Sequence, residues 1–471
     1  MINKLISFWK FVFPIHQKEM RLFLSLSVMM FFILFNYTVL RDVKDTLIVN
    51  AAGAEALSLI KLLGTVPAAF IVMIVYSKLS YHFCRKKLFL LCLLPFLSFF
   101  ILFAFVLYPN RLSIHPTTEW IDQMVLLFPR LQTILRVMGC WSYALFYIFS
   151  ELWGPLILSV LFWQFANDTV KLEQAKRFYP LFGFIGNSGG IVAGIVGKFV
   201  SETTKVSSSN LDPWGLSIIV LMICVVISGV IIFGLFSNVS SATAKNETVP
   251  YAPKEKRKMS LKDSLLYVAR SKHLLLIALV IVCYGITQNV VEVVWKDQLR
   301  QVIQTQNDYN AFMGHFSMVQ GIITVSLMVI GTHVVRIFGW FISATITPIL
   351  MVGTGLLFFA FMNGKEFLED YTLSLLALTP TVVAVWLGFV QTGVARAVKY
   401  AFFDPTKEMC YIPLSEEEKI RGKAAVEVVG SRLGKSGGSI IQQALLIGTG
   451  STLVGISSLL ALVIGVVAFI W

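Results

Sequence analysis

Charge is what this 471-residue chain has least of: 14% of its residues are Asp, Glu, Lys or Arg, against 56% hydrophobic ones. A water-soluble domain carries about 25% charged residues, and a soluble chain of this length folds as roughly three domains joined by polar linkers. A soluble enzyme is therefore excluded. Cysteine is sparse too. Its six copies, Cys84, Cys92, Cys140, Cys224, Cys283 and Cys410, show no CxxC and no paired spacing, so they read as apolar fillers. The six histidines stand far apart, without HxxxH or a carboxylate at ligand spacing. Neither a metal nor a cofactor is expected. Acidic residues are the scarcer sign, 26 against 39 Lys and Arg, for a formal net charge of +13. Such an excess suits nucleic acid, acidic lipid or an anionic ligand, and the placement of the cations must decide.

What the chain does have is apolar runs. Stretches of about 20 residues recur along it, each long enough to cross ~30 Å of hydrocarbon as a helix. They fall near 22–40, 57–79, 88–107, 140–165, 178–200, 216–236, 273–295, 312–335, 338–361, 371–394, 423–448 and 451–470. The expected fold is an all-α membrane protein of about twelve helices. The first run begins near Arg21, too long for the apolar core of a signal peptide and without a cleavage site. With the N-terminus inside, inner loops hold about 26 Lys and Arg and outer loops about 9. Both termini are then cytoplasmic, and the Lys254, Lys256, Arg257, Lys258 cluster is a topology signal that touches acidic lipid at most. Most of the net charge is thereby accounted for without nucleic acid.

A polar linker at 237–272 divides six spans from six, so 1–236 and 273–471 read as two halves of a parallel repeat. Sliding the chain on itself by 248 brings Gly186-Asn187-Ser188-Gly189-Gly190 onto Gly434-Lys435-Ser436-Gly437-Gly438. The same offset sets Lys44 on Glu292 and Glu151 on Lys399. Glycines at 186, 190 and 194, and at 430, 434 and 438, keep a four-residue stride that lets helix backbones approach closely. Charges within spans cost at least ~2.5–3.5 kcal/mol on insertion scales and call for a purpose. Glu151, with Tyr143 and Tyr147 on its face, Glu292 with Gln288 and Asn289, and Glu427, Ser431, Arg432 and Lys435 are such positions. Arg41 and Lys44 close the first span; Lys61 and Lys198 read as snorkelling or structurally paired lysines. The segment 430–436 imitates a phosphate-binding GxxxxGKS loop, but Val429 stands where a glycine is required and no strand precedes it.

Several longer motifs carry a resemblance. Asn36-Tyr37 with Leu40-Arg41-Asp42-Val43-Lys44-Asp45, Ser150-Glu151-Leu152-Trp153-Gly154 and Phe162-Trp163-Gln164-Phe165-Ala166-Asn167 are among them. Ala175-Lys176-Arg177-Phe178-Tyr179, Val291-Glu292-Val293-Val294-Trp295-Lys296 and Gly434-Lys435-Ser436-Gly437-Gly438 complete the set. Together they resemble the ATP/ADP translocase family of plastids and obligate intracellular bacteria, which is distinct from the mitochondrial carriers. The resemblance implies a major-facilitator-like fold, two pseudo-symmetric six-helix halves, and a nucleotide di- or triphosphate as substrate. It maps the family's essential charges onto Lys44, Glu151, Glu292 and Lys435. Two departures stand out: Pro155 after Trp153-Gly154, positioned to kink the fourth span, and an end at Trp471 where relatives continue into a short polar tail.

The implied function is exchange of external ATP for internal ADP by a multi-pass, monomeric carrier of the inner membrane. The alternative is a broad-specificity nucleoside triphosphate importer working by exchange or proton-coupled net uptake, with Glu151, Glu292 or Glu427 as the proton carrier. Lys44 and Lys435 are expected to bind the phosphate chain, with Arg41 and Arg432 in support. Glu151 and Glu292 hold those cations when the site is empty or accept hydrogen bonds from ribose and base. Tyr147 stacks on the base and Asn289 reads an edge.

Overall fold

A computed structural model describes residues 15–206, 212–244, 266, 268–414 and 416–471. Within these, only the backbone is described at 172, 176, 180, 242–244, 332, 416–421, 424, 425, 427–429, 431, 432 and 435. Backbone polar groups have no water to bond inside a bilayer, so an apolar run satisfies them internally as a helix. The described residues are accordingly helical, without a strand. The long segments are α1 (Met20–Ala52), α2 (Glu55–His82), α3 (Arg85–Leu107), α4 (Trp141–Thr169), α5 (Leu172–Lys205) and α6 (Pro213–Ala244). They continue as α7 (Lys272–Val302), α8 (Gln306–Gly331), α9 (His333–Asn363), α10 (Pro380–Met409), α11 (Glu416–Thr449) and α12 (Ser457–Ile470). By length and composition ten of these can cross a membrane; α11 is long but polar, and α12 is apolar but short. The fold is that of a major-facilitator-like bundle of two pseudo-symmetric halves.

Two boundaries differ from the sequence expectation. The tenth span starts at Pro380, whose missing N–H suits a first helical turn. The apolar stretch before it, expected inside the span, forms a separate short helix, Glu369–Leu376. The helical run from Gln306 to Asn363 continues through the junction of α8 and α9 and turns at Gly339, within α9, whose φ of 77° is open to glycine and strained for other residues. The linker expected at 237–272 lies for the most part outside the described residues.

The glycine repeat has a structural counterpart. On α5, Gly186 meets Met30 and Leu34 of α1, and Gly189 faces the Phe31 carbonyl. On α11, Gly430 meets Ile281 of α7, Gly434 lies against Gly285, and Gly438 against Asn289. Thus α5 lies along α1 as α11 lies along α7. The halves meet where Gly194 of α5 crosses Gly314 of α8, backbone against backbone. Each half is further tied by a buried indole: Trp153 Nε1 donates to the Ile33 carbonyl at 3.1 Å and Trp295 Nε1 to the Val385 carbonyl at 2.9 Å.

Candidate functional site

The charges that the chain places within spans converge between the halves. Lys44, late on α1, is buried. Its ammonium lies 2.8 Å from Asp45 Oδ1, 3.7 Å from Glu151 Oε2 of α4 and 3.9 Å from the Tyr147 ring centre. Asp45 Oδ2 in turn accepts from Lys296 Nζ of α7 at 2.7 Å. Lys296 also donates to Glu292 Oε1 at 2.5 Å, and the same oxygen accepts from Arg396 Nη2 of α10 at 2.9 Å. Signs therefore alternate from Glu151 through Lys44, Asp45, Lys296 and Glu292 to Arg396, crossing from one half to the other. An isolated ion in such a place costs several kcal/mol, and alternation gives each ion a neighbour of opposite sign. A second cross-half link joins α1 to α8: Arg41 Nη2 donates to Ser317 Oγ at 2.9 Å, and the Ser317 hydroxyl donates to Asp42 Oδ2 at 2.6 Å.

This network borders a cavity of about 290 Å³, at the lower end for small-molecule sites. The cavity reaches from Lys44 and Glu292 toward Asp404 and Lys407 at the end of α10, the end of the bundle at which α7 begins. Among the described residues six cations line it (Arg41, Lys44, Lys61, Arg396, Lys399, Lys407) against four carboxylates (Asp45, Glu151, Glu292, Asp404), an excess of two positive charges. Tyr37, Tyr284 and Tyr400 add aromatic faces to the wall. Both polar atoms of the Gln288 side-chain amide are buried there with no hydrogen-bond partner among the described residues. A chamber with surplus cations, aromatic faces and an unused amide suits a polyanion that also carries a ring. A larger hollow of about 680 Å³ between α7, α9, α10 and α12 is walled by Leu276, Trp340, Phe341 and Trp471, a lining suited to apolar matter.

At the opposite end the halves are joined. Thr46 bonds Asn310 at 3.3 Å, Arg300 donates to the Asn50 carbonyl at 3.3 Å, and Gln443 Nε2 donates to the Glu55 carbonyl at 2.9 Å. Ser58, fully buried, bonds Gln442.

The family model of the TLC ATP/ADP transporter matches residues 2–471. The chain belongs to that family. Among relatives of this TLC transporter, ADP,ATP carrier protein 1 of Chlamydia pneumoniae is 42% identical over 94% of this chain and 87% of its own length. ADP,ATP carrier protein 1 of Rickettsia bellii is 40% identical over 93% and 88%. The fold is similar to that of a solved POT family transporter in complex with a thioalcohol-conjugated peptide. That structure has a TM-score of 0.60, 12% identity, and covers 98% of both chains.

Of the residues singled out in the sequence, Arg41, Lys44, Glu151, Asn289 and Glu292 border the cavity of this TLC transporter. Arg432 and Lys435 lie on α11 two positions before and one position after Gly434, which also lines it; their side chains, like that of Glu427, are outside the described residues. Tyr147 is fully buried, lies outside the lining, and its face is taken by the Lys44 ammonium, so it is not presented to a base here. Lys198 pairs with Glu202 at 3.8 Å near the surface, as a structural lysine does. Lys61 departs from expectation. It lies on the cavity wall, at the start of a π-helical turn, Lys61–Thr65, and among the described residues no carboxylate is within ion-pair distance of it. Asp45, Lys296, Arg396 and Lys399 were not singled out as site residues. Asp45 and Lys296 lay within the motifs that carry the resemblance, and Lys399 aligned with Glu151 in the internal repeat; Arg396 carried no signal.

Proposed function

We propose that the protein is an antiporter, not an enzyme, that takes up external ATP in exchange for internal ADP across the inner membrane. One observation carries this reading: a chain of the TLC family, about 40% identical to bacterial ADP,ATP carriers, encloses a cation-rich cavity between its halves. In this reading the halves 1–236 and 273–471 rock about the cavity, joined by a cytoplasmic linker at 237–272. Both termini are cytoplasmic, so the cavity faces the cell interior, and the protein works as a monomer surrounded by lipid.

Lys44 and Lys435 receive phosphate oxygens, with Arg41 and Arg432 in support, and Glu151 and Glu292 hold the cations while the site is empty. Phosphate pairing with lysine and arginine is charge-assisted and gains strength where water is scarce. Asn289 and Gln288 offer amides to ribose or base edges. Tyr37, one turn before Arg41 on the cavity wall, takes the stacking role. Obligatory exchange follows from the surplus charge. Occluding an empty cavity would bury uncompensated cations at several kcal/mol per ion, whereas a bound nucleotide neutralises them.

The test is uptake of labelled ATP into proteoliposomes loaded with ADP or left empty. Uptake that requires internal ADP supports exchange, and equal uptake by empty vesicles overturns it. Lys44→Ala should abolish ATP binding; a variant that keeps wild-type affinity in purified form removes Lys44 from the phosphate site.

A further inference from the structure

The two surplus charges of the cavity can be assigned to residues. Arg41 lies 3.3 Å from Asp42, Lys44 is shared by Asp45 and Glu151, Arg396 is bound to Glu292, and Lys407 lies 3.8 Å from Asp404. Lys61 and Lys399 are the remaining two, and among the described residues neither has a carboxylate within ion-pair distance. They come from opposite halves, α2 and α10. Each opens a π-helical turn, Lys61–Thr65 and Lys399–Phe403, a wide turn that recurs at functional sites.

Both turns are held by tight packing. A Cβ on Gly64 would stand 2.8 Å from Ile148 of α4, and a Cβ on Gly331 of α8 would stand 2.7 Å from the Ala401 carbonyl. The Lys399 ammonium lies 5.1 Å from the Tyr400 ring and 5.9 Å from the Tyr284 ring, faces that attract a cation without neutralising it.

We propose that Lys61 and Lys399 form a phosphate clamp, the pair that seats the nucleotide's phosphate chain before any internal ion pair is opened; this rests on the nucleotide reading above. An anion reaching Lys44 or Arg396 must displace a carboxylate. One reaching Lys61 or Lys399 meets no paired carboxylate among the described residues, and it joins the two halves as it binds. The rigid turns hold both cations at fixed positions, which reduces the ordering cost of binding.

The experiment uses the full chain with Lys61→Gln, Lys399→Gln and the corresponding arginine variants. ATP is titrated against the thermal unfolding midpoint in detergent, and labelled ATP uptake is followed in ADP-loaded vesicles. Each glutamine variant should raise Kd and KM for ATP by at least about tenfold, the scale of one lost charge-assisted hydrogen bond. The ATP-free midpoint should stay level or rise, because an uncompensated cation has been removed. The arginine variants should restore ATP affinity. A structural lysine gives the opposite pattern, a lowered ATP-free midpoint with unchanged Kd, and that result overturns the clamp. A wild type that exchanges ATP for ADP while both glutamine variants keep its Kd also overturns the clamp and leaves the exchange reading standing. A wild type that neither binds nor exchanges ATP overturns the exchange reading itself and the clamp with it.

Discussion

Replacing Asp45 by asparagine removes one carboxylate that serves two lysines, its neighbour Lys44 at 2.8 Å and Lys296 of the other half at 2.7 Å. All three side chains are buried. Breaking a buried ion pair by removing one partner costs about 3–5 kcal/mol. Here Lys44 retains Glu151 and Lys296 retains Glu292, so the lower end, about 3 kcal/mol, is the appropriate magnitude. Because Asp45 and Lys296 belong to opposite halves, that loss falls on the arrangement in which the halves touch at this end. Parting the halves there should become easier by roughly 150-fold, at 1.36 kcal/mol per decade. A single thiol can report it. Ser58 is fully buried at the same seam, and Ser58→Cys in a background lacking the six native cysteines is nearly isosteric. The rate of labelling by a membrane-impermeant maleimide then follows the open fraction. Asp45→Asn should accelerate labelling by on the order of a hundredfold, and Lys296→Gln by a comparable factor. Labelling within about threefold of the parent in both variants would falsify the view that this pair holds the far end closed.

Glu292→Gln leaves Arg396 and Lys296 without their shared carboxylate, which should cost the empty protein about 3–5 kcal/mol. ATP should return much of that loss, so the ATP-induced rise in unfolding midpoint should exceed the wild-type rise. Gly285→Ala sets a Cβ 2.7 Å from the Gly434 backbone, which cannot give way as a flexible side chain would. A loss of about 1–3 kcal/mol and a lower midpoint are expected, whereas Gly353→Ala, with nothing within 4 Å, should be neutral. His115, in the connection between α3 and α4, bonds Ser142 Oγ at 2.7 Å; partial burial and then Arg111 hold its imidazole below the ordinary 6.5. The fold therefore prefers neutral His115. Its contribution is fully present above pH 6.5 and is lost as pH falls from there through the lowered folded value. The midpoint advantage of wild type over His115→Gln, measured from pH 8 to pH 5 at about one-unit steps, should shrink toward acid; a constant or growing advantage counts against it.

The spans were legible in the sequence because a bilayer accepts little besides an apolar helix, and the glycine stride marked where α5 and α11 press on their neighbours. The tenth span was misplaced because a hydropathy window weighs 371–379 and 380–394 alike, while the start is set locally by Pro380. The site was legible as far as isolated charges in apolar surroundings reveal it, which brought out Lys44, Glu151 and Glu292. Asp45 and Lys296 stood near span ends, where charges are ordinary, and only tertiary structure joins residues 251 positions apart. Tyr147 had the right type and spacing, yet which neighbour covers an aromatic face is decided by packing. Lys61 was read as snorkelling or structurally paired because a lysine near a span end ordinarily is, and only the packing of α2 between the halves sets it on the cavity wall.

The repeat that relates the halves exchanges sign as it goes: Lys44 corresponds to Glu292, and Glu151 to Lys399, and all four border one chamber. A faithful duplication would have set lysine opposite lysine and glutamate opposite glutamate, giving a chamber that looks the same from either half. Exchanging the signs keeps the backbone two-fold while each half still contributes one cation and one carboxylate of the four. Lys44 and Lys399 therefore come one from each half, so in the proposed nucleotide reading a single phosphate chain engages both halves at once.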